Sequence, residues 1–186
     1  RIYFMMHAGS NIAEKTETKL VAAWIRIIIN PDDQTALLYA LLSRPRGIGK
    51  GTITEKAQIA QRTGHTLEEM LRMETLSAQT DPKKQAKYAK IETFLSELSE
   101  ARQYASAGAT PTDIIEDIIV RSGLIEDIED EIQKAEKMDD RQKRESKINT
   151  AKNRRRNLEL LIESAGTSDN IAEFANNIAL TNEKPD

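Results

Sequence analysis

Residues 34–60 read QTALLYALLSRPRGIGKGTITEKAQIA. Before the break, Leu37, Leu38, Leu41 and Leu42 recur at the helical period. Ser43 to Gly51 interrupt it with one proline and three glycines. After it, Thr52 and Glu55 match a capping box, and Ile53, Ile59 and Ala60 resume the apolar stripe. Helix, glycine turn, helix is therefore the predicted unit here.

The same pattern extends in both directions. Upstream, Leu20, Val21, Trp24, Ile25 and Ile28 predict an amphipathic helix over roughly 17–29. Asn30-Pro31-Asp32-Asp33 then predicts an N-cap, a proline at the first helical position and acids in the first turn. Downstream, Gly64 is a predicted stop, and Thr66 with Glu69 predicts another capped helix carrying Leu67, Met70, Leu71 and Met73. Asp81-Pro82 opens a long helix, roughly 84–106, with Tyr88, Ile91, Leu95 and Leu98 on one face. Thr110-Pro111 starts a helix with Ile114, Ile115, Ile118 and Ile119, and Ser122-Gly123 breaks it before Leu124, Ile125, Ile128 and Ile132. A helix over about 139–165 and a last one near 169–180 complete an all-α expectation. Ile2 to Met6 is the one strand candidate, and a single strand needs partners from elsewhere.

Composition narrows the function classes. The 186 residues contain no cysteine, which excludes disulfides, Cys-ligated zinc, iron–sulfur clusters and a thiol nucleophile. A formal charge of −3 and 4% aromatic content argue against a strongly basic nucleic-acid binder and against base stacking on several rings. No run approaches the roughly 18 apolar residues of a membrane span, so no membrane partner is expected. The charge is nonetheless unevenly distributed: residues 113–140 sum to −8, residues 141–156 to +7 and residues 44–62 to +4. Mutual pairing across a helix hairpin is the expectation for the first two blocks, with a phosphate-facing patch as the alternative for 141–156.

No catalytic constellation emerges. A P-loop would need glycine where Arg44 stands and Ser or Thr where Gly51 follows Lys50. His7 and His65 are distant and lack a metal-binding motif, so surface or capping roles are expected for them. Asp32-Asp33 and Asp139-Asp140 are adjacent pairs at helix starts, where capping is their expected role. The distinctive element is Pro45-Arg46-Gly47-Ile48-Gly49-Lys50-Gly51-Thr52. Glycines leave backbone N–H groups unshielded, and a helix N-terminus aims its positive dipole end at the same point. Arg46, Lys50 and Thr52 add charge and a hydroxyl, so a duplex phosphate fits there without base readout.

This hairpin resembles the helix–hairpin–helix element in the 2B subdomain of UvrD/Rep/PcrA-type (superfamily 1) DNA helicases. Glu17, Lys19, Ala23, Arg26 and Asn30-Pro31 match the register of the family's E-I-K-D-x-x-A-x-x-R-x-x-x-N-P-x-D-D stretch, with Thr18 and Leu20 in place of Ile and Asp and with Asp32-Asp33 one residue ahead of the family's pair. Asn153 to Leu161 and Asn170 to Leu180 resemble its closing basic helix and S-L-x-x-F-L-x-x-I-A-L segment. Pro45 directly precedes Arg46, where the family spaces the two by one residue.

The resemblance implies a helical 2B-like subdomain over 17–180, with 1–16 and 181–186 as borders from the second RecA-like domain. The chain opens at Arg1 without an initiator methionine and reads as a piece of a longer protein. The implied parent is a cytoplasmic 3'-5' helicase that binds ATP and magnesium through motifs lying outside this chain. Arg46, Gly47, Ile48, Gly49, Lys50, Gly51 and Thr52 would hold the duplex backbone, the helicase core would be the partner in cis, and repair or replication proteins would be further partners. The alternative is a helical protein-interaction or autoinhibitory module without DNA contact.

Overall fold

The computed structural model describes residues 15–44 and 48–182. The strand expected at Ile2 to Met6 lies outside these residues, as do His7 and Pro45 to Gly47. Among the described residues the fold is all-helical: α1 (Thr16–Ile29), α2 (Gln34–Leu42), α3 (Lys50–Thr63), α4 (Leu67–Ala78), α5 (Pro82–Ser106), α6 (Pro111–Arg121), α7 (Leu124–Glu136), α8 (Arg141–Ala165) and α9 (Ile171–Asn182). None of them is long and apolar enough to cross a membrane.

The helix ends follow local chemistry. Thr66 caps α4 and Thr110 caps α6, each in a reciprocal box with Glu69 and Asp113. Asp81 caps α5, with Pro82 in the first turn, and Asp140 caps α8 through the amide of Lys143. Gly64 closes α3 at φ 75°, a left-handed conformation that a side chain would strain.

Two helix starts differ from expectation. Asn30 is not a cap: its side-chain oxygen accepts from Asp32 N–H and its carbonyl from Asp33 N–H, both at 3.1 Å, so residues 30–33 form a turn. Asp33 caps α2 instead, accepting from Ala36 N–H at 2.9 Å, and Pro31 sits in the turn. The capping box expected at Thr52 and Glu55 also does not form. Gly49, extended at φ −71° and ψ 155°, is the N-cap, and its carbonyl accepts the first ladder bond from Ile53 N–H at 3.2 Å. Thr52 therefore lies inside the first turn.

The described chain divides into two compact units, each with its own interior. Residues 23–107 form one contiguous unit. Its buried side chains include Ile25 and Ile27 of α1, Leu37 and Leu41 of α2, Leu67 and Leu71 of α4, and Ile91 and Leu98 of α5. Trp24 and Phe94 meet edge to face, ring centroids 5.4 Å apart. On α4 the buried face is Leu67, Glu68, Leu71, Thr75 and Ala78, while Met73, expected in the apolar stripe, is 45% exposed.

The second unit is split in sequence, its described residues being 15–22 with 108–182. In it α8 packs along α7 and α6, and α9 packs on α6. The four isoleucines of α6, Ile114, Ile115, Ile118 and Ile119, are all buried. So are Leu124 and Ile128 of α7, Leu158 and Leu161 of α8, and Phe174 and Ile178 of α9.

Candidate nucleic-acid interface

The helical ladder of α3 first closes at Ile53, so the amides of Lys50, Gly51 and Thr52 have no partner within the helix. They point outward from the positive end of a helix of 14 residues. Gly49 and Gly51 are exposed, and a Cβ added to either would meet nothing within 4 Å. Neither has a positive φ. Among the described residues, packing and backbone geometry thus leave both glycines unexplained, whereas close approach of a ligand to the amides would use them.

Of the side chains expected to act here, Lys50 is exposed and Thr52 half-buried. Ile48 is buried at 9% exposure and so packs rather than contacts a ligand. Arg46 and Gly47 lie outside the described residues. Among the other bases of the 44–62 block, Lys56 is committed internally: its Nζ donates to Glu74 at 2.6 Å and lies 5.9 Å from the Tyr88 ring centroid. Tyr88 donates its hydroxyl to the other Glu74 oxygen at 3.0 Å. The Lys56 hydrogen bond leads in holding the Glu74 carboxyl below the ordinary glutamate range, against the opposing effect of burial. One Lys–Glu–Tyr cluster thereby ties α3 to α4 and α5.

A second cluster fixes α4 and α5 beneath the end of α1. Arg102 donates from Nη1 and Nη2 to the two oxygens of Glu68, both at 2.9 Å, and from Nε and Nη2 to the carbonyl of Ile27 at 3.1 and 2.9 Å. Arg72 donates to the same Glu68 from Nε at 3.1 Å and Nη2 at 2.8 Å. Burial pushes the Glu68 carboxyl up, but the bonds from Arg102 and Arg72 outweigh it and hold the group below its usual range. Sequence pattern missed this cluster because Glu68 and Arg102 are 34 residues apart, and a glutamate beside Leu67 reads as a solvent position.

In the split unit, the buried Glu17 accepts from Asn157 Nδ2 at 2.6 Å, and its other oxygen lies 3.6 Å from Arg154 Nε. Arg154 also pairs with Glu131 of α7. The expected cancellation between the acidic and basic blocks is therefore narrow. Arg154 bridges α8 to α7, while Arg141–Glu145 and Lys134–Asp130 pair within single helices. His65 is exposed and its Nδ1 lies 3.7 Å from Glu69. Among the described residues no cluster of three or more His, Asp or Glu side chains is arranged to hold a metal. No protein-family model matches this chain, and no curated protein is significantly similar to it.

Proposed function

We propose that this chain is an accessory subdomain of an ATP-dependent DNA helicase that grips duplex DNA by its backbone at the turn leading into α3. The observation that carries this reading is the amide cluster of Lys50, Gly51 and Thr52, beside Gly49 and Gly51, where among the described residues neither packing nor backbone conformation requires glycine. Exposed amides at a helix N-terminus suit a phosphate oxygen, and Lys50 adds a charge-assisted contact. Contacts of this kind set orientation on a duplex and leave sequence unread. The sequence resemblance to superfamily 1 helicases supplies the parent activity and the ATP and magnesium it would use. The Glu17–Asn157 bond supports the same reading, because it joins the two stretches that resemble the family.

In the whole enzyme, Lys50→Glu and Gly49→Pro should lower duplex affinity and unwinding while leaving ATP turnover without DNA intact. Unchanged duplex binding in both variants would remove the hairpin from the site. A second reading, a protein-docking module without DNA contact, is favoured by Leu76, 66% exposed beside an open groove that Thr75, Gln79 and Ser96 also line between α4 and α5. An NMR titration with a short duplex separates the two: shifts centred on Ile48 to Thr52 support the first, and silence there supports the second.

A further inference from the structure

The basic stretch of α8 is the most strongly basic segment of the sequence, at +7 over residues 141–156. Ala151, Leu158, Leu161 and Ala165 are its buried face. Lys152, Arg155 and Arg156, spaced by three and four residues, are exposed on the other side together with Asn149 and Asn153. None of these three bases has a carboxylate partner among the described residues, although α7 alongside is rich in acids; Arg154 alone of this run bridges to it, at Glu131. Three like charges on one helical face repel one another. An external polyanion would relieve that cost. The patch is bounded by Glu145, which pairs with Arg141, and by Glu159.

We propose that this outer face of α8 is a second contact for a nucleic-acid duplex, made to the phosphate backbone by Lys152, Arg155 and Arg156; it rests on the duplex-binding reading above. Two features favour a backbone over an acidic protein. Protein docking faces have an apolar centre, and α8 carries none of the exposed large hydrophobic side chains found among the described residues. Guanidinium groups match phosphate oxygens bidentately, and the flanking Asn149 and Asn153 amides are the neutral donors that phosphates and sugars accept. The absence of exposed aromatic side chains on α8 leaves base stacking no platform, so the contact is sequence-independent.

The test compares four versions of the full chain by fluorescence anisotropy with a short blunt DNA duplex over a range of salt: the parent, Lys152→Ala/Arg155→Ala/Arg156→Ala, Lys50→Glu, and the charge-keeping Arg155→Lys/Arg156→Lys. Alanine keeps the helix, which circular dichroism verifies. The triple alanine variant should bind at least about tenfold more weakly, with a salt slope shallower by about 0.9 per lost phosphate contact, and the lysine variant, which keeps the charge but loses the fork, should keep the parent's slope and bind between the two. If the triple variant binds like the parent while Lys50→Glu weakens, α8 is not a contact and the hairpin reading stands. If the triple variant weakens and Lys50→Glu does not, α8 is the contact and the hairpin is not. If the parent does not bind duplex, both fail. If duplex binding is unchanged but capture of poly-glutamate is lost in the triple variant, the face docks acidic protein and the proposal is overturned.

Discussion

Glu68 is a carboxylate at 8% exposure that receives four hydrogen bonds from two arginines, one of which also satisfies the carbonyl of Ile27 in the last turn of α1. Removing its charge leaves Arg102 facing a partner that no longer balances it. Glu68→Gln should therefore cost about 2 kcal/mol, read in urea as a lower midpoint with an unchanged slope. The pH dependence has a definite sign. Glu68 and Glu74 both have carboxyls depressed in the folded state, so the unfolded chain binds protons more readily in acid. Their contribution is complete above the unfolded value of about 4.3 and is lost as pH falls through the lower folded values. Unfolding free energies at about pH 6 and about pH 3.5 should differ less in Glu68→Gln than in the parent. Gly51 gives the opposite test. A Cβ there meets open space on a helix, so Gly51→Ala should raise stability by about 0.5 kcal/mol while weakening duplex binding. A stability gain with unchanged binding would make Gly51 a neutral residue instead of a ligand approach.

Helices announced themselves where their ends carry side-chain chemistry. The boxes of Thr66 with Glu69, the proline after Asp81 and the stop at Gly64 could all be read from residue types, because each motif spans at most a few neighbours. The start of α3 could not. Thr52 and Glu55 have the right spacing for a box, yet the helix is already under way, since the backbone of Gly49 opens the ladder without any side chain. The same limit applies to the site: the glycines at 49 and 51 were visible, but the burial of Ile48 and the commitment of Lys56 to Glu74 and Tyr88 depend on helices that meet only in three dimensions. Gly64→Ala should cost about 1 kcal/mol, because alanine must adopt φ 75° in a place with ample room, making strain the whole effect. Thr66→Ala should cost about as much through loss of the cap alone. Thermal denaturation of the two variants and their double measures both, and near-additivity is not expected, since Gly64 and Thr66 flank one turn.

Glu17 and Asn157 are 140 residues apart and share a bond of 2.6 Å inside the split unit. Glu17→Ala leaves Asn157 and Arg154 without their shared buried acceptor, and should lower stability by about 2 kcal/mol. Hydrogen exchange should register the loss in α6 and α8 amides of that unit. An unaffected exchange pattern there would show that the bond does not hold the unit together. The division of the chain also sets an order of events during synthesis. Residues 23–107 are contiguous, so all the partners of Glu68 and Glu74 have been made once Arg102 has left the ribosome. In the other unit Glu17 precedes residues 23–107 and Asn157 follows them, so Glu17 must wait, unmatched, until α8 has been translated. The contiguous unit can therefore close its interior before the split unit does, and until α8 is made the start of α1 lacks the partners that bury it.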